Sequence, residues 1–166
     1  MATGRSNKLV GQTGEYLVAA ELSRMGLIAT TFTGNVPHYD IIAADERGKH
    51  VFIQVKAGKA NSWQLDIRQF CEIGFDGEKQ VVGSKKKCPV IGLVMVFVRV
   101  CEDRSDRYYV CRWEDLRDLL VKGHKEFLAR HGGRRPKKWD SMHSAILESV
   151  LEPFLEKWDV VTEGLR

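Results

Sequence analysis

The segment Val51-Phe52-Ile53-Gln54-Val55-Lys56 alternates as a strand does, so Val51, Ile53 and Val55 point one way and Gln54 and Lys56 the other. An amide oxygen and an ammonium group two residues apart therefore share one face. Upstream, Asp40 stands just before the apolar Ile41-Ile42-Ala43, on an expected strand from Tyr39 to Ala44. The polar Asp45-Glu46-Arg47-Gly48-Lys49 between the two has the chemistry of a tight turn. A hairpin centred near Arg47 sets Asp40 across from Gln54. An acid and a lysine projecting together from adjacent strands are unusual in a core and suit phosphoryl chemistry.

These residues resemble the pattern of the PD-(D/E)xK, or restriction-endonuclease-like, nuclease superfamily. That pattern is an acid at the start of one hairpin strand and (D/E)-x-K on the next; many members, Holliday junction resolvases among them, add a glutamate on the first helix. Here those positions read Glu15 within Gly14-Glu15-Tyr16-Leu17, then Tyr39-Asp40, then Gln54-Val55-Lys56. The resemblance covers roughly residues 10–60, and the expected element order agrees with the superfamily core through about Arg112. Tyr39 stands where a proline often precedes the acid, with Pro37 close by. Gln54 replaces the middle acid, similar to the variant of Mrr-type restriction endonucleases and some homing endonucleases.

The resemblance implies a metal-dependent endonuclease that hydrolyses phosphodiester bonds of DNA. It implies Mg²⁺ (or Mn²⁺) held by Asp40, Gln54 and Glu15, with the backbone carbonyl of Val55 as a further ligand. Lys56 would orient the attacking water or stabilise developing charge. Gln54 can still offer an oxygen to a hard cation but carries no charge, so the cation should bind more weakly unless Glu15 contributes.

The elements that must position these groups follow from periodicity and breakers. A first helix is expected from about Gly11 to Met25, stopped by Gly26, then a strand from Leu27 to Phe32 ended by Thr33-Gly34-Asn35. The strands Tyr39 to Ala44 and His50 to Ala57 follow. Residues 58–80 read as a strand or loop around Ser62 to Ile67 and a short helix near Ile67 to Ile73, and Lys85-Lys86-Lys87 as a surface loop. The apolar strand Val90 to Val100 and its partner Arg107 to Arg112 enclose a charged turn, Glu102 to Asp106. A helix starting near Trp113 places Trp113, Leu116, Leu120 and Phe127 on one face and must break at His131 to Pro136.

A final amphipathic helix is expected from near Ser141, capped by Asp140. Its stripe is Ile146, Leu147, Val150, Leu151, Phe154, Leu155 and Trp158, with a kink at Pro153. The expected fold is α+β (α/β/α-like). It has a central mixed sheet with an αβββαβ core over about residues 10–112, and a C-terminal helical extension over about 113–160 with a basic loop at 130–138. All of this lies in a single nuclease-like domain spanning 1–166.

Length, 43% hydrophobic and 29% charged residues describe a globular chain. Met1 to Leu9 is polar, without an apolar leader, and Val90 to Val98 is too short to span a bilayer. The expectation is therefore an intracellular, cytoplasmic protein that does not meet the membrane. Cys71, Cys88, Cys101 and Cys111 form no CxxC pair and read as reduced thiols in or near the core.

Residues 1–80 carry 9 basic and 9 acidic residues, whereas Lys122 to Lys138 holds seven basic residues against Glu126 alone. Arg134, Arg135, Lys137 and Lys138, with Lys85, Lys86 and Lys87, are candidate contacts to a DNA backbone, double-stranded or branched. Lys59, Ser62, Trp63 and Gln64 follow the QxK strand, where a DNA-facing loop is expected; Trp63 suits base stacking and core packing equally. His38 could share the face of Asp40. A homodimer or higher homo-oligomer is expected, since duplex DNA has two similar strands to cut. Two other classes stay open: a nucleic-acid-binding module whose site has decayed at Gln54, and an interaction protein whose C-terminal helix packs on a partner.

Overall fold

The computed structural model describes residues 4–32 and 36–165, with side chains from Asn7 onward. The expected Thr33-Gly34-Asn35 stop lies outside the described residues. In chain order the elements are α1 (Gly4–Arg24), β1 (Ile28–Thr31), β2 (Ile41–Ala44), β3 (His50–Gly58) and β4 (Ser62–Asp66), then a 3-10 turn at Ile67–Gln69. There follow β5 (Cys71–Asp76), β6 (Lys79–Lys85), β7 (Val94–Arg99), β8 (Arg107–Arg112), α2 (Trp113–Arg130) and β9 (His143–Leu147). The chain ends with α3 (Glu148–Leu151), a 3-10 turn at Glu152–Phe154 and α4 (Asp159–Gly164). Contacts divide the chain into two compact units, described separately: Met1–Trp63 with Cys88–Trp113 and Leu147–Arg166, and Gln64–Lys87 with Glu114–Ile146.

The first unit is built on a five-stranded mixed sheet in the order β1-β2-β3-β7-β8. The β2–β3 hairpin forms because Asp45 organises its turn. One carboxylate oxygen accepts the N–H groups of Arg47 and Lys49, both at 2.9 Å, and Gly48 supplies the positive φ of 80°. The register, Ile41 opposite Ile53 and Ile42 opposite Phe52, is the one a hairpin centred on Arg47 requires. β3 then pairs parallel with β7, with Gln54 beside Met95 and Lys56 beside Phe97. β7 pairs antiparallel with β8.

One face of this sheet presents Ile41, Ala43, Val51, Ile53, Val55, Val96 and Val110, which pack with Val18 and Leu22 of α1 and Val161 of α4. Burying that apolar surface, at roughly 25 cal/mol per Å², is what holds α1 down. The other face carries Gln54 and Lys56, and farther across it Phe97 and Tyr109 meet the indole of Trp63 edge-on at 5.3 and 6.1 Å. Gly26, at φ 83°, ends the α1 segment as expected. The helix starts earlier than Gly11, at Gly4.

The second unit contains the β5–β6 hairpin and the body of α2. Two expectations are corrected. The short helix expected near Ile67 to Ile73 is a single 3-10 turn, after which the chain enters β5, so strand pairing rather than a helix links the parallel strands β3 and β7. Lys85, expected in a loop, ends β6.

The expected helix from Ser141 is not formed either. Residues 143–147 are strand β9, paired with β4, in which Ser144 and Ile146 are buried and their neighbours exposed. The apolar run fits both periods over so short a stretch, and an available edge on β4 decides it. Helix resumes only as α3, and Pro153 lies in the following 3-10 turn. Leu147 and Val150 of the expected stripe are exposed, and among the described residues the C-terminal segment forms only short helical turns in place of the long amphipathic helix expected.

Candidate active site

The regular β2–β3 ladder ends at Ile41 opposite Ile53. The next residue, Asp40, clasps β3 on both sides of Gln54. Its N–H donates to the Ile53 carbonyl at 2.8 Å, and its Oδ2 accepts the Val55 N–H at 2.7 Å. A carboxylate holding a backbone N–H cannot swing away from the strand, so Asp40 is fixed beside the QxK segment.

The residue before it helps. The Tyr39 ring packs on Phe52 of β3 at 4.7 Å and on Phe32 at 5.7 Å, which anchors the chain just before Asp40. His38 is exposed and adopts a left-handed φ of 76°, a sparsely populated conformation at the bend leading into Asp40.

Glu15 arrives from α1. Immediately before it, Gly14 is buried so tightly that a Cβ there would lie 2.3 Å from the Ala57 Cβ and 3.5 Å from Val55 Cγ1. Only a glycine lets the helix backbone sit this close to β3. Glu15 is half-buried, and its carboxyl pKa is raised, first by burial and then by the negative charge of Asp40, with Lys56 pulling it back down. Glu15, Asp40 and Lys56 thus share one electrostatic environment. Gln54 and Lys56 are half-buried on β3, and no hydrogen bond or ion pair among the described residues engages either side chain.

The remaining candidates distribute differently. Trp63 is 5% exposed and packed into the core of the first unit, with Gly58 leaving room for its indole. Its ring is therefore not presented to a base, which corrects the stacking expectation. Lys59 is exposed and lies 3.7 Å from Glu102, a weak surface pair. Ser62 is half-buried. In the second unit Gln64, Lys86 and Lys87 are exposed, Lys85 pairs with Asp118 at 3.1 Å, and Arg134 pairs with Glu78. Arg135 lies over the Phe127 ring at 5.1 Å, Lys137 is exposed, and Lys138 is 3.9 Å from Asp140.

Sequence reasoning missed Gly14, although an isolated glycine inside a helical pattern is a signal of close packing. It also missed Glu148 of the first unit, buried and bound by Tyr109 Oη at 2.5 Å, by Arg107 at 3.0 Å and by Arg99. No local motif marks that network, because its partners come from β7, β8 and α3.

No protein-family model and no curated protein sequence matches this chain. Among solved structures, a bacterial homing endonuclease superposes with a TM-score of 0.51 at 17% identity, over 95% of this chain and 94% of that one. A Holliday junction resolvase of the archaeal hyperthermophile Archaeoglobus fulgidus aligns at 19% identity over 92% and 95% of the two chains, with a TM-score of 0.47. The chain has the restriction-endonuclease-like α+β fold, a mixed central sheet with helices. Among the described residues no helix is long and apolar enough to cross a membrane.

Proposed function

We propose that the chain is a metal-dependent endonuclease that hydrolyses DNA phosphodiester bonds, with Glu15, Asp40, Gln54 and Lys56 at its active site. The observation that carries this reading is the Asp40 clasp on β3. It holds a carboxylate beside Gln54 and Lys56, within electrostatic reach of Glu15. The homing-endonuclease neighbour supports the reading through its shared fold.

The donor chemistry fits a divalent cation of the Mg²⁺ or Mn²⁺ type. Burial first and the charge of Asp40 second raise the Glu15 pKa, and the two carboxylates form a negative focus that a hard cation relieves. Among the described residues no group of three or more His, Cys, Asp or Glu side chains could hold a metal, so further donors must be neutral oxygens. The Gln54 amide and the Val55 carbonyl supply them in this proposal. Bound there, such a cation would neutralise the phosphate and make nearby water more acidic.

Asp40 keeps its charge fixed in place through the Val55 N–H. Lys56 places an ammonium where negative charge grows on the phosphate, and Glu15, at its raised pKa, can accept a proton from water. DNA is proposed as the substrate and a homodimer as the cutting unit, in the cytoplasm.

The test is incubation with supercoiled, linear, branched and single-stranded DNA, with and without Mg²⁺ or Mn²⁺. Cleavage that requires both the metal and Asp40 is the expected result. Salt-sensitive binding with no cleavage under any of these conditions would replace the enzyme by a decayed binding module, the reading favoured by the uncharged Gln54.

A further inference from the structure

The second unit holds a cavity of about 700 Å³ beneath the loop that follows α2, lined in part by Gln64, Phe127, Arg135, Lys137, Ser141 and His143. Its size is that of a small-molecule site rather than a packing defect. The loop is built to be rigid. Gln80, 5% exposed, donates from its Nε2 to the carbonyls of Trp139 at 2.7 Å and Ser141 at 3.0 Å, while its backbone N–H donates to the Gly133 carbonyl. Those two acceptors fix which end of the amide is nitrogen, so Oε1 faces His124 and the His124 Nε2, 3.0 Å away, must be the donor. His124 is 2% exposed, and burial together with Arg135 pushes its pKa down to about 4, so the ring is neutral at physiological pH. A buried hydrogen-bonded relay thus fixes the backbone that carries the cations.

The face turned to the cavity is chemically specific. The Arg135 guanidinium lies over the Phe127 ring at 5.1 Å, and that ring also meets the His131 ring at 4.5 Å and 36°. Arg135 is half-buried, and no carboxylate among the described residues pairs with it or with Lys137. With Phe127 as its π contact and no carboxylate, this partly desolvated guanidinium can still take an anion or a further stacked π system.

We infer that this cavity receives an unpaired nucleotide of a nucleic-acid strand: the base stacks against the Arg135 plane, Lys137 meets the phosphate, and Gln64, Ser141 and His143 face the base edge. Guanidinium planes serve as stacking platforms for unpaired bases, and a lysine contributes phosphate affinity without base preference. The site lies wholly in the second unit and does not depend on whether the first unit cleaves.

The experiment titrates the full-length Lys56→Ala protein, without divalent metal, with a short single-stranded oligonucleotide carrying one 2-aminopurine, read by its fluorescence. A matched duplex, an abasic oligonucleotide and inorganic phosphate are the comparisons. Quenching is expected with the single strand, and affinity should fall about tenfold in Arg135→Gln and for the abasic strand. Lys137→Ala should weaken binding to all strands alike and reduce the salt slope by about one. Arg135→Lys, which keeps the charge but not the plane, should retain the salt slope and lose the preference for the base-bearing strand. Equal binding of abasic and base-bearing strands would overturn the inference, as would an Arg135→Gln protein, folded by circular dichroism, with undiminished affinity.

Discussion

The carboxylate of Asp40 accepts the backbone N–H of Val55 at 2.7 Å, across fifteen residues of sequence and beyond the last regular pair of the β2–β3 ladder. The bond does two jobs. It satisfies a backbone donor on β3, and it fixes a charged oxygen beside Gln54 and Lys56. The two jobs separate by substitution. Asp40→Asn retains an acceptor for Val55, so stability should change by less than about 1 kcal/mol, whereas Asp40→Ala strands a partly buried N–H and should cost about 1–3 kcal/mol. Both should lose metal-dependent cleavage. Urea melts and nuclease assays on the pair check this; an active Asp40→Asn would remove the charge from the proposed mechanism.

Lys56→Ala should leave the melting temperature close to that of the parent while lowering cleavage by about two to three orders of magnitude, the usual loss when one preorganised charge-stabilising donor is removed. Thermal melts paired with single-turnover cleavage rates make the measurement. A rate within a few-fold of the parent would exclude Lys56 from the chemistry.

Gln54→Glu restores the missing negative charge. Since more carboxylates around a hard cation tighten its binding, affinity for Mn²⁺ should rise about tenfold by calorimetry. Unchanged affinity would mean that the Gln54 side chain does not face the cation.

Gly14→Ala should destabilise the protein by about 1–3 kcal/mol, because the new Cβ would overlap that of Ala57. The double variant Gly14→Ala with Ala57→Gly removes the opposing atom and should recover much of the loss. Additive losses in that cycle would place the damage elsewhere than at the α1–β3 contact.

Two carboxyls give opposite pH signatures. The folded pKa of Glu15 lies above its ordinary value of 4.5, from burial first and Asp40 second. Its contribution to stability is therefore fully present below that ordinary value and is lost as pH rises through the folded pKa. Glu15→Gln should make the protein slightly more stable near neutral pH while abolishing cleavage, a trade of stability for function. Divalent cation should raise the melting temperature of the parent more at neutral pH than in mild acid, where the proton competes for Glu15. A cation effect that ignores pH, or is the same in Glu15→Gln, would detach Glu15 from the metal.

Burial pushes the Glu148 carboxyl up, but Tyr109, Arg99 and Arg107 outweigh it, and the net pKa falls below 4.5. Its stabilisation is present above the ordinary value and is lost as pH falls through the folded pKa. Glu148→Ala leaves a buried hydroxyl and two arginines without their shared partner. It should cost about 3 kcal/mol, the low end for a broken buried pair because both arginines are about one-third exposed. Urea melts across mild acid check both statements; an unaltered acid limb in Glu148→Ala would overturn the pH dependence.

What was legible in the residues is local in its physics. Side chains on a strand alternate because of covalent geometry, so Gln54 and Lys56 had to share a face. Asp45 and Gly48 had to make a tight turn, because few residues adopt its backbone without strain. Those two facts placed Asp40 near Gln54 before any coordinates. The β5–β6 hairpin has a comparable signal, the Asp76-Gly77 pair, with Gly77 at φ 57°, but the helical look of Ile67 to Ile73 competes with it.

Other features were decided only when distant segments met. Ile146 and Leu147 satisfy a helical stripe and a strand edge equally well, and it was pairing with β4 that made the segment a strand. Glu15 becomes part of a candidate site because Gly14 lets α1 press against Ala57, a contact that no periodicity encodes. Asp40 was expected on a strand, yet it sits one residue beyond the ladder and turns its carboxylate inward to the Val55 N–H. By itself the sequence determined the strand phase and the turns, which follow from bond geometry and local sterics. The tertiary structure decided which charges share a site, because burial and hydrogen-bond satisfaction are settled between residues far apart in the chain.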